Sequence, residues 1–153
     1  HRAMLDAAWA RRPYPGDEYM LPFGKAKFVS EGDDLTVVTW GAMVERCELA
    51  VQGIGAGIEI IDLRTLSPWD STAVFASVRK TSKCLIVHED IQFGGFGAEI
   101  AAAVASACFL DLDAPVERVA APAVPVPFST SLMEGVVPTV AAIRQAMERL
   151  LAF

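Results

Sequence analysis

The residues best suited to chemistry lie in one stretch, His88-Glu89-Asp90, followed by glycines at 94, 95 and 97. A histidine beside two carboxylates can act as a general base whose imidazolium either acid stabilises. Neighbours on an extended strand point to opposite faces, however, so Glu89 is poorly placed to orient His88. No G-x-S-x-G nucleophile elbow occurs to use such a base. One His-x-Asp is too little for a metal site, and the other histidine is His1 at the chain's start. His88 is therefore a weak catalytic candidate, better suited to hydrogen bonding at an interface.

Gly94-Gly95-x-Gly97 falls between a strand pattern and a helix pattern, where backbone N–H groups can meet an anion. The spacing is not the dinucleotide fingerprint, and no acidic residue follows the next strand to bind a ribose. Close packing against a neighbouring segment or subunit is the simpler reading. Gly53-x-Gly55-x-Gly57 comes after a helix and before a strand, the wrong order for phosphate binding, and reads as a loop with a helix C-cap. Cys47, Cys84 and Cys108 are odd in number, lack C-x-x-C spacing and sit among apolar residues. They read as buried free thiols of a reducing compartment. Asp113, Glu117 and the C-terminal carboxylate of Phe153 lie near strand and helix ends, where a cluster of acids can dock a basic partner.

The elements that must position these residues follow from periodicity. Met4, Leu5, Ala8 and Trp9 have helical spacing within 1–12, stopped by Pro13-Tyr14-Pro15-Gly16. Residues 19–28 are extended and proline-punctuated, 31–34 form a turn, and the compact domain is expected from about Leu35. Strands are expected at 35–39, 58–63, 84–88 and 116–120. Helices are expected at 42–52, from the N-cap Asp70 to about 80, at 98–108 and at 139–151. Continuous apolar strands separated by helices predict a mostly parallel sheet covered on both faces.

At 153 residues, with 53% hydrophobic and 21% charged residues, the chain is one core-forming domain, since two would each be too small. A net charge of -6 without a basic stripe argues against nucleic acid, which is held by clustered Lys and Arg. The longest apolar runs, such as 100–110, are about half the ~20 residues that span a bilayer, so no membrane partner is expected. No charged-then-apolar leader is legible after His1, and a cytoplasmic chain is expected.

Six segments together carry a resemblance. LTVVTWGAMV (35–44), IDLRTLSPWD (61–70), SVRKT (77–81), VHEDIQFGGFGAEI (87–100), LDAPVERVAA (112–121) and PVPFS (125–129) resemble the C-terminal domain of the beta subunit of thiamine-diphosphate-dependent 2-oxoacid dehydrogenases, the transketolase C-terminal-like fold. LPFGK (21–25) resembles the entry into that domain. The resemblance implies an α/β domain of three layers, with a mostly parallel sheet of about five strands and helices on both faces. Residues 1–34 would be the end of a preceding domain plus linker, and 35–153 the domain itself.

For function, the resemblance implies an assembly and partner-docking domain of an enzyme that oxidatively decarboxylates a 2-oxo acid and passes the acyl group to a lipoyl arm. Thiamine diphosphate and magnesium would belong to the parent enzyme, with none bound and no catalysis by this fragment. The implied partners are the subunit's own pyrimidine-binding domain, an alpha subunit or fused alpha half, a second beta subunit, and the peripheral-subunit-binding domain of the acyltransferase. His88, Glu89, Phe93, Gly94, Gly95 and Phe96 are expected at a subunit interface, and Asp113, Glu117 and Phe153 at the acyltransferase. HED with GGF is closer to the branched-chain type than to the pyruvate type. The location would be bacterial cytoplasm, or the mitochondrial matrix in a eukaryote. The alternatives are the matching domain of a transketolase or deoxyxylulose-phosphate synthase, and a free-standing small-ligand-binding α/β domain.

Overall fold

The computed structural model describes residues 2–5 and 7–153. In chain order the elements are α1 (Arg2–Leu5), a 3-10 turn (Ala8–Ala10), β1 (Lys27–Ser30), β2 (Leu35–Thr39), α2 (Met43–Ala50), β3 (Ile58–Asp62), α3 (Ser71–Thr81), β4 (Cys84–Ile91), α4 (Phe96–Ala107), β5 (Glu117–Ala121), α5 (Thr130–Met133) and α6 (Val140–Leu151). Of the helical segment expected over 1–12, His1 and Asp6 lie outside the described residues. The remainder forms α1 and the separate 3-10 turn.

The five strands lie in the order β1-β3-β2-β4-β5. β2 pairs in parallel with β3 and β4, β4 pairs in parallel with β5, and β1 runs antiparallel to β3. β1 lies ahead of Leu35, in the stretch read as linker. Its four residues, KFVS, show no run of apolar alternation, and only Val29 and Ser30 are partly covered. Ser30 supplies what the pattern hides. Its hydroxyl donates to the Ile58 carbonyl at 2.9 Å and accepts from the Ile60 amide at 3.2 Å, holding a strand whose register shifts between Phe28 and Ser30.

β2 and the first five residues of β4 are buried on both faces, which is why they read as continuous apolar runs, whereas β5 at the edge is only partly covered. Alternate residues separate into two cores. Val37, Leu85 and Val87 pack with Met43 and Cys47 of α2 and with Ile143, Met147 and Leu150 of α6. Val38, Cys84 and Ile86 pack with Val74 and Val78 of α3 and with Ile100 and Val104 of α4. Each fully buried Val, Leu or Ile contributes about 1.5–3 kcal/mol relative to its exposed state. Between β2 and α3, Thr36 meets the hydroxyls of Ser77 and Thr81 at 2.6 and 2.7 Å, tying the strand to the helix. All three cysteines are buried and unpaired, and burial pushes the Cys47 and Cys84 thiols up to about 12 and raises that of Cys108.

Strand order reverses at β2. The connection through α2 leads outward to β3, and the one through α3 returns past β2 to β4, so the carboxyl ends of β2 and β4 flank a topological switch point. Asp70 fixes the start of that return: one carboxylate oxygen caps α3 by accepting from the Ala73 amide at 3.2 Å, and the other accepts from the Ala26 amide at 3.1 Å. Asp70→Ala removes both acceptors. It should lower stability by about 2–4 kcal/mol, the sum of a lost cap and an abandoned amide, read as a lower urea midpoint at unchanged m-value.

Candidate functional site

His88 lies on the same face of β4 as Cys84 and Ile86, and so faces α3 and α4. Glu89 takes the opposite face, where Arg46 of α2 is close enough to favour its charged form, although burial dominates and raises its pKa. The residues that looked like a histidine–carboxylate unit are therefore divided between the two sides of the sheet. Asp90 turns back on its own chain, accepting from the Ile91 amide at 2.7 Å.

The His88 ring is wholly enclosed, and neither Nδ1 nor Nε2 has a hydrogen-bond partner. Trp40, just past β2 and next in register after the Thr39–Val87 pair, stacks on it with centroids 5.3 Å apart and planes 5° from parallel. Phe96 closes edge-on against Trp40 at 6.2 Å. The other wall is the first turn of α4. A Cβ on Gly97 would stand 2.2 Å from His88 Nε2, and one on Gly95 would stand 2.2 Å from the Ile91 carbonyl oxygen, so only glycine allows the helix this close. Gly94, at φ +76°, takes the left-handed conformation that the turn requires. Burial holds the His88 pKa below its ordinary value, with Asp90 opposing and Arg118 reinforcing the shift.

The switch point, where open α/β sheets place ligands, is thus filled by Trp40, His88 and Phe96. A general base needs a nitrogen that can reach a substrate proton, and His88 presents none. Among the described residues no group of three His, Cys, Asp or Glu can hold a metal ion. The glycine turn has Asp90 beside it and Glu99 in the first turn of α4, so negative charge already sits at that helix end. These donors do not fit a diphosphate with its magnesium. A cavity of about 530 Å³ lies elsewhere, between α2, α5 and α6, lined by Arg46, Leu49, Met133 and Val140.

The six residues expected at an interface divide by depth. Phe93 is 81% exposed and Gly94 is exposed; Glu89 and Phe96 are half-buried; Gly95 and His88 are buried. Phe93 projects from the turn that His88 supports from within. Asp113, Glu117 and Phe153 belong to the opposite, amino edge of the sheet. The Asp113 amide donates to the Ser82 carbonyl at 2.9 Å, Glu117 is ion-paired with Arg149 of α6 at 2.9 Å, and Phe153, just after α6, is 68% exposed. The Glu117 carboxylate is therefore already ion-paired within the chain, which its position in the sequence does not reveal. Trp40 is the residue that spacing alone did not single out, although an aromatic immediately after a buried strand and before Gly41 was the available signal.

Comparison with known proteins agrees with this architecture. The profile of the family described as transketolase, C-terminal domain, matches residues 24–143. The 2-oxoisovalerate dehydrogenase subunit beta 2, mitochondrial, of Arabidopsis thaliana is 50% identical over 108 residues, 69% of this chain and 30% of that protein. The corresponding beta subunit of Bacillus subtilis (strain 168) is 36% identical over 91% of this chain and 44% of its own length. The pyruvate dehydrogenase E1 component subunit beta of the same organism is 42% identical over 78% of this chain and 38% of its own. The chain thus spans less than half of each of these relatives. The solved structure of a split gene transketolase, an inactive beta4 tetramer, superposes with a TM-score of 0.71 at 24% identity over 90% of this chain and 44% of that one, which speaks for the fold alone. With the profile covering most of the sheet and both helical layers, the chain belongs to the transketolase C-terminal domain family.

Proposed function

We propose that this chain is the assembly and partner-docking domain of the decarboxylating component of a 2-oxoacid dehydrogenase, an enzyme that oxidatively decarboxylates a 2-oxo acid and transfers the acyl group to lipoyl. The observation that carries the reading is the filled switch point: the edge where a ligand would enter holds the chain's own rings, while Phe93 stands exposed just outside. Such an edge suits packing against protein. The beta-subunit relatives, named for 2-oxoisovalerate and for pyruvate, supply the reaction class, and the HED–GGF turn favours the branched-chain substrate.

On this reading residues 1–34 lead in from a pyrimidine-binding domain, with β1 the first part to join the sheet. Thiamine diphosphate and magnesium are held by that domain and an alpha subunit or fused alpha half. The cofactor supplies the carbon chemistry when bound, and no step of it falls to residues of this chain. The carboxyl edge, through Phe93, Gly94 and the half-buried Glu89 and Phe96, is the seam to neighbouring subunits, a second beta subunit among them. His88 and Gly95 support that seam from behind. The amino edge, with Asp113, Glu117 and Phe153, receives the peripheral-subunit-binding domain of the acyltransferase. Three free, buried cysteines suit a reducing compartment, bacterial cytoplasm or mitochondrial matrix.

Two measurements test the two edges. Phe93→Asp should weaken association of the beta subunit with its partners at least ten-fold in sedimentation experiments without changing the chain's circular dichroism. An unaffected, or strictly monomeric and partner-indifferent, chain would overturn the seam. Asp113→Asn with Glu117→Gln should weaken binding of a basic acyltransferase domain, more at 20 mM than at 300 mM salt, because screening already suppresses exposed charge at the higher value. Equal affinity for both proteins at low salt would remove the amino edge from consideration.

A further inference from the structure

We propose that His88 is a proton-operated latch on the turn that carries Phe93: taking up a proton drives the imidazole out of its slot between Trp40 and the first turn of α4, and the turn lets go. Only the consequence for neighbouring subunits rests on the seam reading above. The latch belongs to this chain alone.

The slot accepts one protonation state. A neutral imidazole is flat, largely apolar and fits between an indole face and glycine backbone, leaving one N–H and one lone pair without partners. The cation has two N–H donors, and neither finds an acceptor in a ring of zero exposure. The charges around it are mixed. On β4, Asp90 attracts the cation, whereas Glu89 lies on the far face toward Arg46 of α2. On β5, Arg118 repels it, and on α4 the positive helix end repels it, with the exposed Glu99 in the same first turn. The segment contributing Trp40 carries no titratable group from Thr39 to Ala42. The indole face favours a cation, as Asp90 does, but lost hydration outweighs both and holds the ring neutral to lower pH than a free histidine.

The turn has one fixed end and one that rests on the ring. Gln92 is tied to β5 twice: its amide donates to Ala121 and its carbonyl accepts from Arg118, both at 2.7 Å. Gly95, the N-cap of α4, has no side chain with which to cap the helix, and with Gly97 it lies directly against the imidazole. When the ring leaves, residues 93–97 lose their backing while Gln92 stays anchored. The sign follows from linkage: the closed turn prefers the neutral ring, so it is fully secured above the free-histidine pKa of about 6.5 and loosens as pH falls below that value.

The chain has only two histidines, His1 and His88, so nitrogen NMR of the imidazoles reads the latch directly. His88 should titrate below 6.5. Amide exchange at 93–97, corrected for its intrinsic pH dependence, should rise up to about ten-fold per unit of pH below 6.5, in step with the ring. His88→Phe keeps a stacked ring without a titrating nitrogen, and its turn should exchange independently of pH. A His88 that titrates at or above 6.5, or a His88→Phe chain with the same acid response, overturns the latch. If that variant does not fold, the wild-type ring and amide titrations decide alone, and a turn that stays protected while His88 protonates overturns the proposal. Partner binding is measured separately at pH 7.5: its absence there sinks the seam reading, while the exchange data judge the latch.

Discussion

The rest of the molecule depends on a parallel sheet whose inner strands must be covered on both faces. Once Val37 and Val38 point into different cores, α2 and α6 have to lie on one side of the sheet and α3 and α4 on the other. That division produces the reversal of strand order at β2, and the reversal opens a gap between the carboxyl ends of β2 and β4. In many α/β proteins the gap receives a ligand. Here Trp40 and His88, neighbours in register, stack across it, and Gly97 lets α4 close over them. One covering constraint therefore leads to a filled crevice and, beside it, to an exposed aromatic side chain, Phe93.

The two edges of the sheet present different groups. At the carboxyl edge a turn with a buried ring behind it presents Phe93. At the amino edge the last turn of α6 meets the start of β5 through Arg149 and Glu117. The length of the strands separates these two edges.

Legibility in the sequence followed the strength of the local signal. LTVVT and CLIVH mark buried parallel strands because their apolar residues run on without polar alternation, and Asp70 marks the start of α3 because its carboxylate has an amide to cap. Strand β1 was hidden because it is an edge strand held by Ser30, a residue that usually marks a turn. Strand β4 runs to Ile91 and α4 begins at Phe96, each beyond its expected limit, because pairing with β5 and packing against His88 extend them. At the site, strand alternation correctly separated His88 from Glu89. The stack on Trp40 and the Glu117–Arg149 pair join residues 48 and 32 positions apart, which no short-range pattern encodes.

The three cysteines give the fold a chemical clock. Thiol reagents attack the thiolate, and with Cys47 and Cys84 held near 12 almost none exists at neutral pH in the closed fold. Each lies in one of the two cores, Cys47 under α2 and Cys84 under α3 and α4. Their modification therefore counts openings of the corresponding layer, and unequal rates at the two positions would reveal which face of the sheet uncovers first.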